Sequence, residues 1–413
     1  MKKRILFSLV FLLRLSTFSV AHSQSPISLY SGTGQSISAT SSIGVMATEA
    51  VNEAKVNYEK SGGSVTDAKV VIVMENVGDT SNILQTKIRS IFGATIPIVG
   101  VQNAWADYTP YTLKSIPPES STKSLALMVL GGSAISVSYA TGIADFASNS
   151  TSEAVKGGIN LAEKLKPQNN MNNLILLMGQ MHTPLNEYVI SGIKQKYGNP
   201  LPNNVKIIGW SGAYWGGSIY DNGTLKTNQI IGIMVSGDYT WAFRGIDHGR
   251  TGWDSVSGPD EGNPVSGIVK AYTDITTELH QKPSASFMVI AHPDRTLFTS
   301  IRNNIETTMG QIAMIGQHGG SETGHDSTSG DVIADVSHFF LAGIALSTTT
   351  VMPTSSMKPG DANNDNRVNG ADYIIWLSHY STTAVNGNST GDFNADGKVN
   401  GLDYIVWLNH YGL

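Results

Sequence analysis

The chain has 413 residues, no cysteine, 14% charged residues and a formal net charge of −5 at neutral pH. That length leaves room for two or three domains, and the lack of thiols excludes disulfide bridges, thiol catalysis and cysteine-type zinc sites. A mildly acidic balance is a poor match for nucleic acid or an anionic membrane surface.

The amino-terminal stretch MKKRILFSLVFLLRLSTFSVAHSQS has a basic start, a short apolar run and an Ala21-x-Ser23 step. It reads as a secretory signal peptide over residues 1–23, too short and too broken by Arg14 to span a bilayer. No other stretch is long enough to cross one, so a secreted protein, extracellular or held at the cell surface, is expected. Removing residues 1–23 would take the charge from −5 to −9. Residues 24–44 read as a lead-in and 45–347 as one large unit. Residues 348–359, rich in Thr, Ser and Pro without apolar periodicity, read as a linker, with 360–413 a separate module.

Within the large unit three apolar runs of strand type recur, AKVVIVMEN, NLILLMGQ and ASFMVIAHP. Each precedes an amphipathic helical stretch and then a second strand ending in a hydrophobic-Gly step, at Gly100, Gly209 and Gly316. A third apolar strand follows each: LALMVLGG, IIGIMVSGD and FFLAGIALS. This order predicts an α/β fold of three related strand-helix-strand-loop-strand modules, with the first two strands of each module parallel.

Ligands of open α/β sheets sit outside the carboxyl ends of the parallel strands. The loops expected there carry Trp105, Trp210, Ser211, Gly212, Tyr214, Trp215 and Glu322. Aromatic walls with a few polar groups suit a small amphipathic ligand or a sugar ring, although such aromatics can equally cap a sheet edge. Glycoside hydrolysis needs two carboxylates about 5–10 Å apart. Glu75, Asp107, Asp238 and Glu322 fall near expected strand ends, without spacing that pairs them. His318, His325 and Asp326 lie in a glycine-broken run that suits a loop better than a zinc helix. No catalytic residue is assigned.

The segments IPIVGVQNAWADY, VKIIGWSGAYWGGSIYDNGTLKTNQIIGIMVSGD and FRGIDHG carry a resemblance of Gly44–His248 to the amino-terminal part of a FIST domain. IGQHGGSETG places Glu322 at that family's Gly-Glu turn, with Ser321 in place of the glycine. The resemblance implies a sensory unit that binds small molecules rather than catalysis. The segment between His248 and Ser284 is shorter than the family's middle region.

The carboxyl-terminal module holds two copies of one unit, DANNDNRVNGADYIIWLSHY from Asp361 and DFNADGKVNGLDYIVWLNHY from Asp392, identical at 13 of 20 positions. Oxygen-bearing side chains stand at loop positions 1, 3, 5, 9 and 12: Asp361, Asn363, Asp365, Asn369 and Asp372, then Asp392, Asn394, Asp396, Asn400 and Asp403. Position 7, Arg367 or Lys398, would lend its backbone carbonyl. Hard Ca²⁺ takes six to eight oxygens at about 2.3–2.6 Å, and this spacing wraps one loop around one ion, so two Ca²⁺ sites are expected. Gly397, and in the first copy Asn366, suit the sharp turn at position 6. The rows Tyr373/Trp376/Tyr380 and Tyr404/Trp407/Tyr411 share one face of each following helix, as a small core or a partner surface.

The pair resembles a type I dockerin, a small all-α module of two loop-helix repeats that plugs into cohesin receptors on scaffolds or cell surfaces. The resemblance implies partner contacts at Gly370, Ala371, Ser378, Gly401, Leu402 and Asn409. The hydroxyl pair of cellulosomal dockerins at positions 10 and 11 is absent, which points away from a cellulosomal cohesin. The expected whole is a secreted small-ligand-binding protein anchored through a calcium-dependent dockerin. The alternative is a dockerin-bearing enzyme or accessory subunit of a polysaccharide-degrading complex.

Overall fold

The structure, a computed structural model, describes residues 28–103, 109–114, 122–143, 150–179, 185–211, 217–247, 283–291, 302–303, 305–307, 312–319, 322–325, 332–335, 340–348, 360–363, 367–382, 390–393 and 398–412. The chain begins with β1 (Tyr30–Ser38), α1 (Ile43–Lys60), β2 (Ala68–Glu75), α2 (Ile83–Phe92), β3 (Ile98–Gln102), β4 (Thr109–Thr112) and β5 (Lys123–Gly131). The next span is β6 (Ile135–Ile143), α3 (Thr151–Lys164), β7 (Asn172–Gly179), α4 (Leu185–Tyr197), β8 (Val205–Ser211), the hairpin β9 (Ser218–Asp221) and β10 (Thr224–Lys226), and β11 (Gln229–Gly237). Then come β12 (Tyr239–Asp247), β13 (Ala285–Ala291), β14 (Met314–Gly319), β15 (Glu322–His325), β16 (Val332–Asp335) and β17 (Phe340–Thr348). Of the third helical stretch expected from sequence, only 302–303 and 305–307 are described, and they are helical.

Local chemistry starts the helices. Ser42 caps α1 by accepting from the Val45 amide, and Ser150 caps α3 by accepting from the Glu153 amide, satisfying amides that have no partner inside the helix. Glu153 also lies in the first turn of α3, where the helix dipole favours a negative charge.

Three sheets follow one rule of assembly. β2 pairs parallel with β3, β7 with β8 and β13 with β14. Each pair is flanked by an antiparallel strand, β5, β11 or β17, which in turn pairs antiparallel with β1, β6 or β12. The remaining edge of each sheet is filled from another span of the chain. β9 and β10 complete the first sheet, β15 and β16 the second, and β4 the third. β1 is thus part of the first sheet, so the unit begins on the amino-terminal side of residue 45, inside the expected lead-in.

The three hydrophobic-Gly steps fall at these borrowed edges. Gly100 lies opposite Tyr220, Gly209 opposite Thr323 and Gly316 opposite Tyr111. At Gly100 the reason for glycine is steric. Its φ is +149°, and a Cβ there would stand 1.8 Å from the carbonyl oxygen of Val73.

Both faces of the first two sheets are buried, which accounts for the unbroken apolar runs in their strands. Ile72, Met74, Leu174, Leu176, Met178, Phe287 and Ile315 turn into a common core shared by all three sheets. The alternate residues Val71 and Val73 lie under α1 and α2, against Ala50, Ala54, Leu84 and Ile88. Ile175 and Leu177 lie under α3 and α4, against Leu161, Val189 and Ile193. Each such side chain contributes about 1.5–3 kcal/mol relative to an exposed one.

The carboxyl-terminal module is built on α5 (Gly370–Ser378) and α6 (Gly401–His410). Ala362, Val368, Trp376, Phe393, Val399 and Trp407 form its separate small core. Among the described residues no helix is long and apolar enough to cross a membrane.

Candidate functional site

At the carboxyl ends of β2 and β3 the structure places a closed polar cluster. The Glu75 carboxyl is fully buried and accepts from Gln102 Nε2 at 2.7 Å, the Tyr220 hydroxyl at 2.9 Å and the Gly78 amide at 2.9 Å, with the Val77 amide as a fourth donor. Burial pushes this carboxyl up from its ordinary value of 4.5, against the pull of those donors. Burial and then the neighbouring Glu75 push the Tyr220 phenol well above its ordinary value. Asp79 is also buried and accepts from the Ser81 and Leu84 amides, which ties the strand-end turn to the start of α2. Every oxygen of Glu75 is used inside the fold, so this carboxyl braces a loop and joins β9 to the first sheet.

The sequence-derived ligand residues are placed differently. Trp210 follows Gly209 on the inward face of β8, in register with Met178. It is 0% exposed, with its ring centroid 6.4 Å from that of Phe287, so its indole belongs to the common core rather than to a ligand wall. Ser211 ends β8 and Glu322 begins β15. Trp105, Gly212, Tyr214 and Trp215 lie outside the described residues.

A cleft of about 390 Å³ opens at the other end of the parallel pairs. Ser31 and Thr33 of β1 and Asn57 and Lys60 of α1 line one side. Pro283, Ser284, Ile312 and Ala313, just before β13 and β14, line the other. The Ser31 hydroxyl donates to the Ser284 carbonyl and bridges the two sides. Among the described residues the lining holds hydroxyls, an amide and the Lys60 ammonium, and no carboxylate.

In the carboxyl-terminal module, loop and helix are joined by the last loop residue. Asp372 is fully buried; one oxygen accepts from the Ala362 and Asn363 amides at 2.8 and 3.1 Å, the other from the Asn369 amide at 2.8 Å. Asn369 caps α5 by accepting from the Ala371 amide at 2.8 Å, and together these form a capping box. Asn400 and Asp403 repeat the box at α6, at 2.8 Å in both directions.

Asp361 and Asp392, at position 1, are 1% and 4% exposed, so each loop buries two carboxylates. Arg367 and Lys398 are exposed at position 7. Buried carboxylates persist only when hydrogen-bonded or paired with positive charge, and an all-oxygen set of this kind suits Ca²⁺. The residues therefore fit the ion on donor chemistry. Among the described residues no three acidic or histidine side chains converge. The position-5 carboxylates Asp365 and Asp396, with Asn394, lie outside them.

The aromatic rows interlock. Trp376 and Trp407 are 7% and 9% exposed, the Tyr373 ring lies tilted 5.1 Å from Trp407, and Trp376 stands 5.4 Å from Tyr404. Tyr380 and Tyr411 at the row ends are exposed. The partner residues named from sequence, Gly370, Ala371, Ser378, Gly401, Leu402 and Asn409, are all exposed. Sequence reasoning missed their apolar neighbours Ile374, Leu377, Ile405 and Leu408, which are 66%, 52%, 49% and 49% exposed. The available signal was an apolar residue on the helix face opposite the aromatic row, at the same place in both copies.

No curated protein matches the chain. Among solved structures the chain is similar to cyanuric acid hydrolase from A. caulinodans, at 9% identity and a TM-score of 0.34, over 77% of this chain and 99% of that one. Residues 359–411 match the dockerin type I domain, so the carboxyl-terminal part of this chain is a dockerin, the module that attaches to a cohesin-bearing partner.

Proposed function

We propose that this chain is an exported small-ligand-binding protein, held on a cohesin-bearing partner by a dockerin that binds two Ca²⁺ ions. The observation that carries the reading is the duplicated loop-helix unit. Each copy has two buried carboxylates and the same exposed apolar face. Asp361, Asn363, Asp365, Asn369 and Asp372 would hold one ion, and Asp392, Asn394, Asp396, Asn400 and Asp403 the other, with carbonyls from Arg367 and Lys398. The ion supplies positive charge that offsets the loop carboxylates and closes the loop. Asp372 and Asp403 orient the loop against its helix through their amide hydrogen bonds.

Gly370, Ala371 and Ser378 with Ile374 and Leu377, and their counterparts on α6, are the surface offered to the cohesin. Ala371 and Leu402 stand at the position next to the capping asparagine's helix start, and neither brings a hydroxyl to a partner. That chemistry fits a cohesin with an apolar contact face. For the large unit, the FIST resemblance and a cleft lined by hydroxyls, an amide and the Lys60 ammonium support binding of a small polar molecule. A glycosidase would need paired carboxylates, and none stands among the described residues that line the cleft.

The test is calorimetric titration of the full chain with a panel of recombinant cohesin modules, with Ca²⁺ and with excess chelator. Binding of at least one cohesin with Ca²⁺, lost on chelation, is expected. Absence of binding across the panel, or binding indifferent to chelator, overturns the reading.

A further inference from the structure

A polar row runs along the face of α1 that turns to the free edge of β1. Glu49, Glu53, Asn57 and Lys60 follow at intervals of three or four residues, which sets them one above another on a helix. The first three each meet a group of β1. Glu49 accepts from the Ser36 hydroxyl at 2.7 Å, Glu53 accepts from the Gln35 amide at 2.9 Å, and Asn57 Nδ2 donates to the Thr33 carbonyl at 2.7 Å. β1 is an edge strand, so these side chains stand in for the neighbouring strand it lacks.

At Lys60 the row runs out onto the cleft instead. Glu53 is also held by Lys114 at 3.1 Å, and Glu59 by Lys55 at 2.7 Å. These carboxylates of α1 are thus committed elsewhere, and no described residue pairs with the Lys60 ammonium. Around it stand groups that suit hydroxyls. The Asn57 Nδ2 is occupied, which leaves its Oδ1 as an acceptor. Ser31 gives its proton to the Ser284 carbonyl and can still accept, while the Thr33 hydroxyl can accept or donate. Leu29 and Ile312, both buried, add an apolar wall.

From this geometry we infer that the cleft takes a small hydroxylated carboxylate of the sugar-acid type. Its carboxylate meets Lys60 Nζ, and its hydroxyls meet Asn57, Ser31 and Thr33. This rests on the reading of the large unit as a ligand-binding unit and adds to it a ligand class. The volume of about 390 Å³ is in the range of small-molecule sites. The carboxyl end of α1 lies at the same place, where the Tyr58 and Glu59 carbonyls already accept from the amides of Ser61, Gly62 and Gly63. The negative end of the helix dipole opposes a second negative charge there, which favours a carboxylate over a phosphate dianion.

The experiment is calorimetric titration of the full chain with galacturonate, galactose and galactose 6-phosphate. Galacturonate is expected to bind about tenfold or more tighter than galactose, the scale of one charge-assisted hydrogen bond. Lys60→Gln is expected to remove that preference and to leave the melting temperature of the free chain unchanged, since the side chain is exposed. Thr33→Val is expected to weaken the acid and the neutral sugar by a similar factor. Equal affinity for the two sugars, a preference that survives Lys60→Gln, or tighter binding of the phosphate overturns the assignment. If none of the three binds but another small molecule does, the acid class falls and ligand binding stands. If no small molecule binds, the ligand-binding reading falls with it.

Discussion

Glu75 shows how one residue type can suggest one role and perform another. An acidic group at the carboxyl end of a parallel strand is where a catalytic carboxylate would stand, yet this one faces α2 and meets four donors. Its folded-state pKa is raised by burial, so its contribution to stability is present near and below pH 4.5 and is lost as pH rises through the folded value. Glu75→Gln removes that titration. The stability of the unaltered chain relative to the variant is therefore expected to fall between pH 4.5 and 7, measured by urea unfolding at each pH. A difference that stays flat across that range would show that Glu75 is already ionised at no cost in the fold. Trp210 makes the same point with an apolar group. The residue after Gly209 continues the strand, and the period of two sends its indole inward with Met178.

At the scale of elements, α5 and α6 divide their surfaces in the same way. Trp376 and Trp407 point into the shared core, while Ile374 and Leu377, like Ile405 and Leu408, face solvent. Isolated exposed apolar residues are common, but the same pair recurs at equivalent places on two helices, which is why this face is the one proposed for the cohesin. Ile374→Asp combined with Ile405→Asp is expected to leave the circular dichroism and calcium response unchanged, because neither side chain is in the core. Cohesin affinity should fall by about tenfold or more, since a charge is placed in an apolar contact. A double variant that binds as tightly as the parent would move the docking surface elsewhere. The capping boxes, by contrast, could be read directly from sequence, because Asn at the cap and Asp three residues on depend only on neighbours along the chain.

At the scale of the whole molecule, the large unit is held together by exchange of edges among its three sheets. The cleft between β1 and the starts of β13 and β14 exists only because the first and third sheets meet there. The Lys60 ammonium sits at the carboxyl end of α1 beside Ser31, Thr33 and Asn57. A thermal-shift screen of the full chain against amino acids and sugars is expected to find a stabilising ligand, and Lys60→Ala to reduce that shift without lowering the melting temperature of the free protein. Stabilisation unaffected by Lys60→Ala would place the site at another part of the unit, and no stabilisation by any compound would count against ligand binding altogether.

The repeated loop-helix units, their helix caps and the apolar runs that became β2, β5, β7, β11, β13 and β17 were all legible from the order of residues. Each depends on short-range chemistry: a cap on its own turn, a loop on its own oxygens, a doubly buried strand on its own continuous hydrophobicity. Partnership was not legible. Gly100 meets Tyr220, Gly316 meets Tyr111 and Trp376 meets Asn400 only when distant segments are brought together, and no local pattern encodes which edge or which carbonyl will be met. The tertiary structure alone decided that Trp210 and Glu75 are closed inside the fold, that the cleft opens at the amino ends of the parallel strands, and that the tryptophan of each carboxyl-terminal repeat meets a loop carbonyl of the other.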